Sequence, residues 1–297
     1  MMAKAKELVI ISGKGGTGKT SVTAAFANLA SQPVLADCDV DAADLHLVLA
    51  PKVREHHEFV SGNEAVVREA DCTGCGECAQ LCRYQAIAPV TGVSGEAKYA
   101  VDPLGCEGCG VCVRWCPAGA ISFPRRTCGE WFISNTRCGT LVHARLKPAA
   151  ENSGRLVSLV REHARSIAEA EAAETVLIDG PPGIGCPVVA SITGADLVMV
   201  VTEPSLSGEH DLDRVLKLAA HFEVPAALCV NKWDINPEIT KRIEDRARES
   251  GARVAGRLSY DEAFTRAQTA GLSVVELGRG PAAEQAREVW GEVCSML

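Results

Sequence analysis

At 297 residues, with 47% hydrophobic and 23% charged residues, the chain can bury a full core and is expected to form one large domain with a smaller one, which excludes a disordered polypeptide. A formal net charge of −8 argues against a general phosphate-backbone footprint, so nucleic acid is not an expected partner; the doublets Arg125-Arg126 and Lys241-Arg242 read as solvated surface. No apolar run approaches the ~20 residues of a membrane span, and the opening MMAKAKELVIIS is too short an apolar run for a signal peptide, so a cytoplasmic location is expected, in which 14 cysteines read as thiolates for metal or redox chemistry rather than as disulfides.

In chain order, ELVIIS (7–12) predicts a buried strand and SVTAAFANLASQ a helix, with GKGGTGKT between them. Gly13, Lys14, Gly15, Gly16, Thr17, Gly18, Lys19 and Thr20 satisfy G-x-x-x-x-G-K-[ST] at every position. Such glycines let backbone N–H groups curl round phosphates, Lys19 neutralises the β and γ groups, and the Thr20 hydroxyl can ligate Mg²⁺. Further strands are predicted at PVLAD (33–37), TVLID (175–179), DLVMVV (196–201), AALCVN (226–231) and LSVVEL (272–277), separated by helical stretches such as GRLVSLVREHARSIAEAEAAE and PEITKRIEDRARESG. The alternation implies an α/β fold with a doubly wound, mainly parallel sheet. Asp179 closes its apolar run just before a Pro/Gly loop, where a carboxylate near Mg²⁺ is expected and where Gly183 would let the loop follow a γ-phosphate; a turn or helix-cap aspartate is the plainer alternative.

From about Pro51 to Pro124 the alternation breaks and Gly and Cys density rises. An inserted small α+β domain is expected over 59–125, between the halves 1–58 and 126–297 of the nucleotide domain. Within it CTGCGECAQLCRYQAI, from Cys72, recurs as CEGCGVCVRWCPAGAI, from Cys106, at an offset of 34 residues. Each copy is C-x2-C-x2-C-x3-C, the bacterial ferredoxin spacing, in which three close thiolates hold one cubane and the fourth reaches the other. That pattern assigns Cys72, Cys75, Cys78 and Cys116 to one [4Fe-4S] cluster and Cys106, Cys109, Cys112 and Cys82 to a second. Zinc is the rival, though structural zinc pairs two separated C-x2-C units and calls for no third and fourth cysteine at these spacings. Pro117 follows Cys116 but Arg83 follows Cys82, and a backbone donor with positive charge there predicts a higher potential for the cluster that Cys82 ligates.

With Lys14 in place, KGGTGKT resembles the deviant Walker A motif of the MinD, ParA, Mrp and nitrogenase iron-protein superfamily. The resemblance implies that Lys14 contacts phosphates bound to an opposite subunit, so that ATP is sandwiched in a homodimer or in a heterodimer with a paralogue. In VLADCDVDAADLHLVL, Asp37 and Asp39 resemble the D-x-D of switch I, which makes Asp39 the residue expected to orient the attacking water. Lys14, Lys19, Asp39 and Asp179 are thus the expected catalytic set. Asn231 and Asp234 of NKWD are expected at the base; N-K-x-D also fits guanine-specific GTPases, but the superfamily's asparagine binds adenine, which favours ATP. Cys186 follows Asp179 by seven residues in DGPPGIGC, the distance of a bridging-cluster cysteine in the nitrogenase iron protein; a third metal site with Cys128 and Cys138 stands against the plainer reading of three inert thiols. Cys38, Cys229 and Cys294 read as packing residues.

Over nearly its whole length the chain resembles MinD-superfamily ATPases with an inserted ferredoxin domain. This implies an ATP-driven dimerising switch whose clusters serve metallocluster maturation or electron delivery to a metallocluster-binding or redox partner. The alternative is a spatial organiser in the manner of ParA and MinD, with structural or redox-sensing clusters. The tail AAEQAREVWGEVCSML lacks a basic amphipathic face, so membrane docking is not expected.

Overall fold

The structure, a computed structural model, describes residues 4–148 and 150–297. The chain forms two compact units, one of residues 1–57, 130–145 and 152–297 and the other of residues 58–129 and 146–151. Along it run β1 (Lys6–Ser12), α1 (Lys19–Leu29), β2 (Val34–Asp37), α2 (Leu45–Leu49) and β3 (Lys52–Asn63), then β4 (Val66–Val67), α3 (Glu77–Leu81), β5 (Ile87–Thr91), β6 (Ala97–Val101), α4 (Val111–Trp115) and β7 (Ile121–Ser122). There follow β8 (Arg125–Asn135), β9 (Thr140–Leu146), α5 (Ser153–Glu171), β10 (Thr175–Pro182), α6 (Cys186–Ile192), β11 (Leu197–Thr202), α7 (Leu206–His221) and β12 (Ala226–Asn231). The chain ends with α8 (Pro237–Glu249), β13 (Arg253–Leu258), α9 (Glu262–Thr269), α10 (Val274–Leu277) and α11 (Pro281–Cys294).

One nine-stranded sheet has the order β13-β12-β11-β1-β10-β2-β9-β8-β3. From β13 to β9 every neighbouring pair is parallel. Strands of this kind are covered on both faces and therefore read as unbroken apolar runs; in β11 all six residues are buried, and in β1 all but the first. Helix α5 shows the complementary pattern: Leu156, Val157, Val160, Ala164 and Ala168 form one buried stripe at helical spacing. Arg161 lies in that stripe and is satisfied there. It donates to Glu7 Oε2 at 2.5 Å and to the carbonyls of Ala190 and Thr193 at 2.7 and 3.0 Å, and Arg165 forks the same Glu7 carboxylate. Burial pushes the Glu7 carboxyl up, but the two guanidinium groups more than offset this and hold it below the usual range.

One expected strand is a helix. LSVVEL forms α10, because Ser273 accepts from the Glu276 N–H while the Glu276 carboxylate accepts from the Ser273 N–H, a capping box that starts a helix inside an apolar run short enough to suit either state. The segment WFISNTRCGTLVHARL supplies parts of β8 and β9 and the turn between them. At the start of α5, Asn152 holds a left-handed backbone with no side-chain cap.

The second unit has antiparallel pairs β4–β7 and β5–β6 and the short helices α3 and α4. Its two cysteine runs adopt the same backbone. Gly74 and Gly108, at φ of +70° and +61°, each pass so close to a neighbouring carbonyl (Ala97 and Asn63) that a Cβ would lie 2.2 and 2.3 Å from its oxygen. Only glycine fits either place.

Candidate functional site

The phosphate loop leaves β1, the strand between β10 and β11, and enters α1 at Lys19. In open α/β sheets ligands bind beyond the carboxyl ends of central strands. Gly18, the residue before α1, has φ +95°, and a Cβ there would lie 2.5 Å from Asn231 Nδ2. No side chain caps α1, so the N–H groups of its first turn and the positive end of its dipole are left for an anion. The loop borders an open cavity of about 770 Å³, with Gly15, Gly16, Lys19, Thr20 and Asp39 on its wall; that volume lies within the range of small-molecule sites.

Three carboxylates gather at the strand ends beside it. Asp37 on β2 and Asp179 on β10 are partners in the parallel register, both wholly buried, and Asp39 follows two residues later with its carboxylate 3.9 Å from the Lys19 ammonium. Asp37 accepts from the N–H groups of Asp39 and Leu45, both at 3.2 Å, which fixes the turn after β2. Burial together with Asp179 and Asp39 pushes Asp37 well above the carboxylate range. Burial raises Asp39 and Asp179 to about 6, against the pull of Lys19 on both and of the Thr20 and Thr23 hydroxyls on Asp179. One oxygen of Asp179 accepts from Thr23 at 3.1 Å; the other is buried without a partner. The unpartnered buried oxygen of Asp179, beside the Thr20 hydroxyl and the Lys19 ammonium, is a hard oxygen donor that a divalent cation satisfies, so Thr20 and Asp179 fit Mg²⁺.

Asn231 braces the loop: its Nδ2 donates to the Thr17 carbonyl at 2.8 Å and its Oδ1 accepts from the Lys232 N–H at 3.0 Å. The Asp234 carboxylate accepts from the Tyr260 N–H at 2.7 Å and so ties the loop after β13. That loop and the start of α9 supply wall residues that motif reading missed, namely Ser259, Tyr260 and Asp261 from the loop and Phe264 from the helix. Their one signal in the sequence is Asp261, the N-cap of α9, which accepts from the Ala263 N–H at 2.8 Å. Lys14 points back into its own chain, 2.6 Å from Glu203 Oε1 and within hydrogen-bond distance of Ser205 and Ser207.

In the second unit the eight repeat cysteines line two narrow cavities. Cys72, Cys75, Cys78 and Cys116 border one, and Cys82, Cys106, Cys109 and Cys112 border the other. The fourth cysteine of each run accepts a backbone N–H at 3.4 Å, Cys82 from Ala86 and Cys116 from Ala120. These contacts match between the halves, and Arg83, where the other run has Pro117, is exposed. Among the described residues no three His, Cys, Asp or Glu side chains converge closely enough to hold a single metal ion. Cys186 is exposed at the first residue of α6, Cys138 is half-buried against the core, and Cys128 is buried in the second unit with its thiol donating to the Ser61 carbonyl at 3.0 Å.

The model of the CobQ/CobB/MinD/ParA nucleotide binding domain matches residues 8–274. The uncharacterized protein MJ0578 of Methanocaldococcus jannaschii is 31% identical over 236 residues, 77% of this chain and 79% of that one. Two solved structures share the fold. The cell division ATPase MinD of Pyrococcus furiosus has a TM-score of 0.60 at 16% identity, covering 99% of this chain and 100% of its own. The septum site-determining protein MinD of Pyrococcus horikoshii, complexed with Mg-ADP, has a TM-score of 0.58 at 16% identity, covering 97% and 96%. The chain belongs to the CobQ/CobB/MinD/ParA nucleotide-binding family.

Proposed function

We propose, with membership of that family as the premise, that the chain is an ATP-hydrolysing switch that dimerises on Mg-ATP and carries two [4Fe-4S] clusters. The observation that carries the nucleotide half is the convergence of Lys19, Thr20 and Asp39 on one cavity, with the buried Asp179 beside Lys19 and Thr20. Lys19 neutralises phosphate charge and Asp39, ionised above about pH 6, orients the attacking water. Thr20 and Asp179 would hold Mg²⁺, which when bound polarises the β and γ phosphates. Lys14 reaches the phosphates of the opposite subunit. Purified protein should turn over ATP with Mg²⁺, and Lys19→Ala and Asp39→Ala should each lower turnover by at least about 100-fold. Turnover that survives both changes would sink this reading.

The cluster half rests on the two cavities. A cubane carries one thiolate per iron, so its four sulfurs stand round a body rather than meeting at a point. Four cysteines facing one cavity, one of them receiving a backbone N–H, suit that donor set, with Cys72, Cys75, Cys78 and Cys116 holding one cluster and Cys82, Cys106, Cys109 and Cys112 the other. Protein prepared without oxygen should contain about eight iron and eight sulfide per chain; zinc without acid-labile sulfide would overturn the assignment.

For the output, the likeness to the cell division ATPase MinD favours a spatial organiser, in which the clusters are structural or sense redox state. The paired cysteine cavities favour a second output, maturation of a partner's metallocluster or delivery of electrons to it. Capture of partners on Asp39→Ala protein with ATP separates them: a cofactor-binding or redox protein supports the second, and nucleotide-dependent cellular positioning with no change in a recipient's metal supports the first.

A further inference from the structure

Each cysteine run of the second unit has a cation on the same backbone atom. Lys98 Nζ, from β6, donates to the Cys72 carbonyl at 2.5 Å, and Arg126 Nη1, from β8, donates to the Cys106 carbonyl at 3.1 Å. Cys72 and Cys106 are the first cysteines of the two runs and border different cavities. The duplication does not account for this likeness: 34 residues after Lys98 stands Phe132, and 34 before Arg126 stands Gly92. Two unrelated strands thus bring a cation to equivalent carbonyls. Burial also sets these cations apart. Among the described residues of the second unit Arg68, Arg83, Arg114, Arg125 and Lys147 are exposed, whereas the Lys98 and Arg126 side chains are only 12% and 17% exposed. Water and salt screen an exposed charge, while a charge held beneath the surface is felt by its neighbours. The nearby acids compensate in part: Glu96 lies 3.4 Å from Lys98 and is itself 45% exposed, and Glu64 lies 3.8 Å from Arg126. The doublet Arg125-Arg126 is therefore solvated surface at Arg125 only.

We propose that Lys98 and Arg126 are built-in counter-ions, one for each cysteine set, and that each makes the cluster held by its own set easier to reduce by one electron. The inference rests on the reading of the eight cysteines as ligands of two cubanes. On reduction one electron enters from an external one-electron donor, which is oxidised, and no bond forms or breaks. Four thiolates round one cubane leave an excess of negative charge that the added electron increases. A cation beside the loop favours the reduced form, net charge being among the levers that set such potentials. The bond to the carbonyl fixes each cation at its loop before the electron arrives, as partners behind the ligands of metal centres do. Motif reading gives no hint of either residue, because both lie outside the duplicated stretches.

The test is a redox titration of the full chain, prepared without oxygen, with dithionite as reductant and the two one-electron couples followed by electron paramagnetic resonance. Lys98→Gln and Arg126→Gln keep an N–H donor for the carbonyl and remove the charge. Each should lower the reduced-to-oxidised ratio of one couple about tenfold at fixed ambient potential, a downward midpoint shift of about 59 mV for one electron, and leave the other couple in place. The double variant should shift both. Lys98→Arg and Arg126→Lys restore the charge and should return the parent potentials. Glu96→Gln and Glu64→Gln leave the carbonyl bonds alone and strengthen the charge, so each should move its couple about twofold the other way. If a variant at Lys98 or Arg126 sheds iron, these two still read the charge. Potentials unmoved in variants that keep their iron overturn the proposal, as does a shift of the same couple by Lys98→Gln and Arg126→Gln. A parent chain without iron and acid-labile sulfide overturns the cluster reading itself, and this inference with it.

Discussion

The phosphate loop hangs from strands whose residues Leu8, Ile10, Leu177 and Ile178 are fully buried, and the acids beside it are pinned by backbone N–H groups and by an adjacent strand. The cysteine loops hang from two short helices and two-stranded ladders, and the buried hydrophobics of that unit are Phe59, Ala65, Ala86, Ile87, Ala120, Ile121 and Cys128, mostly small side chains. Burying a large aliphatic side chain stabilises by about 1.5–3 kcal/mol, and an alanine by much less. The nucleotide site is thus shaped before its ligand arrives. On the proposed cluster assignment, a unit with so slight a core would draw its folding free energy from what its cysteines bind.

The sharpest way to break this contrast is to strip the proposed clusters by chelation or to change Cys78→Ala. Limited proteolysis should then cut within residues 58–129, while nucleotide affinity of the larger unit stays within about twofold. Resistance of the stripped unit to protease would show that its apolar contacts suffice.

Next in size is Glu7→Gln. Arg161 would stay buried with its charge uncompensated, and the unfolding free energy should fall by about 3 kcal/mol in denaturant titration, with iron content unchanged. A loss below 1 kcal/mol would mean that the carbonyls of Ala190 and Thr193 satisfy Arg161 by themselves.

The smallest effect has the opposite sign. The folded-state pKa of Asp179 is raised, to about 6, so between about pH 4 and pH 6 the native state binds more protons than the unfolded chain and loses stability as pH rises. Asp179→Asn removes that cost. It should stabilise the nucleotide-free protein by on the order of 1 kcal/mol at pH 7.5, with the gain vanishing below about pH 4, and should abolish Mg²⁺-dependent tightening of nucleotide binding. Thermal melts at the two pH values, with and without Mg²⁺, read both effects.

Much of the larger unit was legible in the sequence because its chemistry lies in contiguous stretches: a glycine loop between a strand and a helix, and aspartates ending apolar runs. Strand and helix cannot be told apart by periodicity over six apolar residues, and in α10 the capping box of Ser273 and Glu276 decides for helix. Ser259 to Phe264 and Glu203 were not legible, since they reach the site from distant strand ends and carry no motif. The stretch WFISNTRCGTLVHARL acquires a physical account only in three dimensions. Arg137 in its turn grips the Glu276 carboxylate and donates to the carbonyls of Val48 at 2.9 Å and Gly271 at 3.1 Å, and so ties the turn to α2, the loop before α10 and α10 itself. Val48 is also on the wall of the nucleotide cavity. The duplicated cysteine spacing was plain to read; the glycines that let both copies take one backbone are explained only by the carbonyls they touch.

The grip of Arg161 on the end of α6 bears on motion as well as on stability. Asp179 is fixed in the sheet, Gly183 donates to the Ser12 carbonyl at 2.8 Å, and the last carbonyls of α6 are clasped from behind. The segment between is a strap fastened at both ends, whose slack lies between Gly183, at φ +91°, and Cys186. A pull on the strap from the phosphate side is therefore taken up in that slack, at whose far end the exposed thiol of Cys186 sits.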